Sequence, residues 1–220
     1  MSRPAKAILR KNIRKYAWYK MLTKRTYLPI IAIYLVEVAH LSLAEIAIIA
    51  ALTAGTQLLL QLPGGFFADH FGNKKAMRYS TWFVTVSPLF YVMMPNFWGG
   101  LIASLLFFGA YSFQQGSAEA FMHDTMVALG EESQYAKVMG RSQSYGLIGN
   151  LVLTALIPAT YAVNKSLPFL LGFVSLLVMS WLVYSFAFPP HKRWSRKAVN
   201  PFGMIRTIST PQNLLLFLFA

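Results

Sequence analysis

The chain has 220 residues, 56% of them hydrophobic and only 12% charged, yet it carries a formal net charge of +13. It holds no cysteine, which excludes a disulfide framework, a thiolate metal site and a cysteine nucleophile. Nucleic-acid binding is excluded by placement, because the basic residues abut apolar stretches of bilayer length instead of forming a basic face with base-reading side chains.

Residues 1–25 hold nine of the twenty lysines and arginines. Ile8, Leu9, Ile13, Tyr16 and Ala17 recur at helical spacing, which predicts a short amphipathic helix lying on the membrane surface, a disordered basic tail being the alternative for the first seven residues. No small-residue cleavage pattern follows the first apolar run, so that run reads as an uncleaved span. Six apolar runs then follow, over residues 26–43, 46–68, 77–94, 98–122, 144–161 and 167–188. Each approaches the ~20 residues that cross ~30 Å of hydrocarbon, and only helices satisfy the backbone there. Ser42 and Glu45 read as a capping box opening the second span. Spans 3 and 4, joined only through Pro95–Phe97, must be antiparallel neighbours. Residues 190–212 form a basic connector. A further apolar run over 213–220 is too short to cross, which predicts a chain cut inside a seventh helix, with a second half missing.

Nineteen of the twenty basic residues fall before span 1 or in the connections after spans 2, 4 and 6, and only Lys165 falls in the others. Basic residues near span ends resist translocation, so both ends of the bundle are expected in the cytoplasm of a cell-membrane protein, facing anionic lipid headgroups.

The connection after span 2 reads Gly65-Phe66-Phe67-Ala68-Asp69-His70-Phe71-Gly72-Asn73-Lys74-Lys75. A glycine, three residues, an aspartate, then a glycine and paired basic residues resembles the signature loop of the major facilitator superfamily, with His70 standing where that family carries arginine or lysine. On residues alone, Gly65 lets helices approach, Gly72 permits a tight reversal, and Asp69 sets a carboxylate among cations; a generic turn with flanking lysines is the plainer reading. The resemblance extends over residues 15–220. It implies an all-α half bundle of six transmembrane helices in two three-helix repeats, working as a secondary active transporter by alternating access. It further implies a cytoplasmic gate containing Asp69, Asp124 and Arg141, the last in the Gly140-Arg141 pair opening span 5. Ser112 stands where drug antiporters carry an arginine, and the Gly146–Asn150 stretch lacks their glycine-proline pair, which argues against drug/proton exchange.

Among seven acidic residues, Glu37 falls about 16 Å along a helix begun at Thr26, close to mid-bilayer. An ionisable group at that depth marks function, and a carboxyl there suits proton uptake and release; a packing role bonded to Tyr34 or His40 is the alternative. Gln57, about 18 Å from Glu45, and Asn150, about 13 Å from Arg141, reach the same level. With Tyr34 and Gln115 they form a candidate solute or proton cavity, although helix–helix adhesion explains any one of them equally well. Span 6 carries no charge and span 3 only Arg78 at its start, and both are expected to face lipid. Glu119, in the inner third of span 4, joins the gate with Gly65, Asp69, His70, Gly72, Lys74, Lys75, Asp124 and Arg141. Glu119, His123 and Asp124 lack a metal-binding pattern. With no basic residue counted deep in a span, a neutral, amphipathic or cationic solute is expected, carried with protons by symport. No cofactor is expected, and no glycine loop suits nucleotide hydrolysis. A sensor or scaffold on a carrier fold is the competing reading. An intramembrane lipid enzyme is disfavoured, because no nucleophile, base and acid converge at one depth.

Overall fold

The computed structural model describes residues 3–189, with the side chains of residues 1–5, 61–71 and 115 outside the description. The connector and the run at 213–220 therefore lie outside the described residues, as do the side chains of Gly65, Asp69, His70 and Gln115.

Seven α-helices follow one another: α1 Arg3–Leu22, α2 Ile31–Glu37, α3 Leu43–Phe71, α4 Asn73–Met93, α5 Phe97–Leu129, α6 Tyr135–Ala159 and α7 Leu167–Tyr184, with no strand among the described residues. Local chemistry sets their ends. Ser42 and Glu45 form the expected capping box, the Ser42 amide donating to the Glu45 carboxylate at 2.8 Å and the Glu45 amide to the Ser42 hydroxyl at 3.3 Å. Asn96 caps α5 by accepting from the Gly99 amide at 3.0 Å. Gly130 closes α5 with φ 76°, and Gly72 turns the chain from α3 into α4 with φ 86°, both in a region that favours glycine. These turns define two ends of the bundle. Gly72, Glu131 and Phe186 mark one; Glu37, Asn96 and Lys165 mark the other.

Helices α4 and α5 pack as antiparallel neighbours, α3 lies along α5, and α4 pairs with α7. In the last pair the Thr85 and Ser180 hydroxyls meet at 2.6 Å, and Thr85 also donates to the Leu176 carbonyl. One core cluster joins Tyr16, Tyr19, Phe107, Phe121, Met122 and Met179; a second, toward the Asn96 end, joins Tyr27, Tyr34, Leu35, Tyr91 and Phe169. Large apolar side chains line the outside of α3 and α6, among them Leu58, Leu59, Leu147, Leu151 and Leu156. An apolar surface of that extent suits lipid or a packed partner, and not water. Four stretches of the described residues are long and apolar enough to cross a membrane: Leu43–Leu60, Phe97–Leu129, Glu132–Ala162 and Leu167–Tyr184.

The first helix departs from the surface helix expected over residues 1–25. Helix α1 packs along α6 and touches α5 and α7. Asn12, Tyr16 and Tyr19 are buried. Several of its polar side chains find partners within the protein. Asn12 exchanges two hydrogen bonds with the Ala187 backbone, at 2.7 and 3.1 Å, while Lys15 donates to the Ser185 carbonyl at 2.5 Å. Arg10 pairs with Glu131. Close approach to α6 depends on missing side chains: a Cβ on Gly149 would lie 2.5 Å from the Met21 terminal methyl, and one on Gly146 3.1 Å from the Lys20 Cβ. The expected continuous helix from Thr26 is replaced by an irregular link, a 3₁₀ turn over Leu28–Ile30 and the short α2.

Candidate functional site

The irregular link is where the sequence reading and the structure differ most. Past Leu22 the Thr23 hydroxyl turns back to the Tyr19 carbonyl at 2.5 Å. The chain restarts as a 3₁₀ turn whose first turn holds Pro29, a position where its missing N–H costs nothing. Lys24 and Arg25 sit on this link.

Arg25 points into the bundle. Its Nη2 donates to the Tyr91 hydroxyl at 2.5 Å and to the Ser104 hydroxyl at 3.4 Å, and those two hydroxyls bond to each other at 2.8 Å. Four rings surround the guanidinium carbon: Phe107 at 5.0 Å, Phe108 at 5.1 Å, Tyr27 and Tyr91 at 5.6 Å. Ring faces attract cations, more strongly where water is scarce. Ser104 and Phe108 lie seven and eleven residues into α5, about 10 and 16 Å from its Asn96 end. Arg25 is thus within a spanning helix's depth, and the expectation that no basic residue lies deep is corrected. Counting Arg25 as a flanking cation caused the error.

Beside Arg25 opens a pocket of about 240 Å³. Lys24, Arg25, Tyr111, Asn150 and Thr154 supply its polar wall; Leu28, Phe107 and Phe108 supply the apolar one. The Thr154 hydroxyl donates to the Asn150 side-chain oxygen at 3.3 Å. A small polar group entering here meets donors from α5, α6 and the link together. Of the cavity residues expected from sequence, Asn150 lines this pocket. Tyr34 is buried, donating to the Tyr91 carbonyl at 3.1 Å and packed on Phe169 with centroids 4.5 Å apart. Gln57 is partly exposed on α3.

Glu37 occupies a different level from the one expected. It ends α2, half exposed, where Lys165 Nζ stands 3.1 Å from its carboxylate and the Tyr161 hydroxyl donates at 3.0 Å. Lys165 and Tyr161 belong to the α6–α7 connection. The helical count from Thr26 put Glu37 at mid-depth, whereas the span's earlier start, within α1, carries it to the Asn96 end. The acid set deep among the described residues is Glu119, ten residues or about 15 Å from the Gly72 end of α5. Lys20 lies 4.0 Å away and is largely buried.

The remaining gate residues cluster toward the Gly72 end. Asp124 accepts from the Asn73 amide at 3.4 Å. Lys74 stands 5.8 Å over the Phe188 ring, and Lys75 is exposed. Arg141 donates to Tyr145 of its own helix at 3.1 Å. It also lines a groove of about 690 Å³ between α1 and α6, with Arg14, Lys137 and Trp18.

Residues 18–220 match the family model described as Major Facilitator Superfamily. The chain belongs to the major facilitator superfamily. It is therefore a membrane transporter of the major facilitator kind, a class of proteins that move small solutes. No curated protein matches the chain. The Gly72 reversal between α3 and α4 falls in the stretch that resembles that family's signature loop, and its positive φ explains the glycine there.

Proposed function

We propose that this chain forms a six-crossing bundle of a secondary carrier, both ends cytoplasmic, which moves a small polar solute by alternating access through the Arg25–Asn150 pocket. One observation carries the reading: a mainly apolar pocket edged by Lys24, Arg25, Asn150 and Thr154 opens at spanning depth beside the broken first span. Many secondary transporters bind substrate where discontinuous helices expose backbone groups near mid-membrane, and the link at residues 23–27 is such a discontinuity. Charge supports the orientation, since Arg10, Lys74, Lys75, Lys137 and Arg141 gather toward the Gly72 end and Lys165 alone stands at the other. A second bundle, supplied by the rest of the carrier, closes the apolar faces of α3 and α6. Proton coupling is assigned to Glu119, a half-exposed carboxylate partway along α5 that faces the largely buried Lys20 at 4.0 Å, in preference to Glu37 at the end of α2. Asp69, Asp124 and Arg141 line the cytoplasmic gate.

This chain holds no cysteine, so once any thiol in the rest of the carrier is replaced by serine a single probe site can be introduced. Thr154→Cys introduces a single thiol at the pocket, and a membrane-impermeant maleimide is applied to sealed vesicles of known orientation. Alternating access predicts labelling from both faces. A thiol reached from one face only, or from neither, would sink the proposal.

A further inference from the structure

We infer that the solute is a small oxyanion, a carboxylate or phosphate group on a compact and partly apolar body, and that Arg25 with Lys24 is its charge-recognising pair. The inference rests on the carrier reading and adds the substrate class to it. With the exposed Lys24 as a second cation at the pocket, the ring-enclosed Arg25 guanidinium needs a counter-charge, because an isolated charge at low dielectric is costly. None is present among the described residues. The four ion pairs there are Arg10–Glu131, Lys20–Glu119, His123–Glu132 and Lys165–Glu37. Glu45 is engaged in its capping box and Asp124 with Asn73, while Asp69 lies three positions before Gly72, toward the opposite end of α3 from the pocket.

Arg25 is held by hydroxyls and ring faces, which orient a guanidinium without neutralising it. Its Nε–H is buried without a hydrogen-bond partner, as are the Thr26 and Tyr27 hydroxyls on the same link, so polar capacity there is left unmatched. Guanidinium and carboxylate or phosphate match as paired donors and acceptors, and Lys24 adds a mobile point charge. Asn150, Thr154 and Tyr111 can complete the oxygen contacts. The neighbouring Leu28 and Phe108 fit an apolar remainder, and about 240 Å³ keeps the solute small.

The test uses the full chain in sealed proteoliposomes, with labelling of Thr154→Cys as the reporter. Three oxyanions are set against neutral isosteres: lactate against lactamide, benzoate against benzamide, glycerol 3-phosphate against glycerol. Slower labelling with an oxyanion, unmatched by its neutral partner, is the expected result, and which acid protects separates carboxylate from phosphate. Arg25→Gln should weaken that protection at least tenfold, while Arg25→Lys, which keeps the charge, retains part of it. Equal protection by a neutral isostere, undiminished protection in Arg25→Gln, or no protection by any probe would each overturn the anion assignment. Two-faced labelling in the absence of probe would meanwhile leave the carrier reading standing, so the two failures are distinguishable.

Discussion

Replacing Asn12 by alanine tests whether α1 is part of the bundle. Asn12 is fully buried, and its side chain both donates to the Ala187 carbonyl at 2.7 Å and accepts from the Ala187 amide at 3.1 Å. Each bond contributes about 1 kcal/mol net, and each backbone group left dry and unpaired adds about 1–3 kcal/mol. Water reaching the vacated space relieves part of the second contribution, which brings the expected loss for Asn12→Ala to about 2–5 kcal/mol. Unfolding by SDS titration in mixed micelles, followed by tryptophan fluorescence, would read the loss, and hydrogen exchange would report where it acts. Amides of α1 and those after Tyr184 should lose protection together. Asn12→Asp keeps the acceptor but sets a carboxylate oxygen against the Ala187 carbonyl, so it should be at least as harmful. A loss under about 0.5 kcal/mol for Asn12→Ala, on the scale of an ordinary surface substitution, would show that α1 does not depend on this joint.

Gly172→Ala sets a methyl carbon 2.4 Å from Cδ1 of the buried Tyr27 ring, about 1 Å inside ordinary contact; overpacking of that size costs about 1–3 kcal/mol, readable in the same titration, and should also slow labelling of Thr154→Cys because Tyr27 packs on Arg25. Gln114→Leu combined with Thr81→Val should leave stability unchanged or raise it in the same titration. The Gln114 side-chain amide donates to the Thr81 hydroxyl at 2.9 Å while its own oxygen is buried without a partner, and making both residues apolar removes the unpaired oxygen without stranding the Thr81 hydroxyl.

Much of the fold was readable because bilayer length and turn chemistry are local signals. The Ser42–Glu45 box, the Gly72 reversal and the short α4–α5 connection are where spacing put them. Depth along the first span was not readable in the same way. The basic residues before Thr26 look like headgroup anchors when counted in one dimension, yet several of them turn to protein partners: Arg10 to Glu131, Lys15 to Ser185, Lys20 to Glu119, Arg25 to Tyr91 and Ser104. Those partners are more than sixty residues away in sequence, so no periodicity announces them. Shifting the start of the span moved Glu37 to the end of the bundle and Arg25 into it. Asn150 survived as a pocket residue because its count began at Arg141, on a helix that proved continuous.

The link that bears Lys24 and Arg25 joins two differently anchored pieces. On one side α1 is wedged against α6 and α7; on the other, Tyr34 and Leu35 of α2 are lodged among α4, α5 and α7. A tether strung between two separately moored bodies is displaced by any slip between them. The two charges therefore ride on the segment most sensitive to sliding of the helices, so that a rearrangement of the bundle would be felt first as a change in where those charges stand.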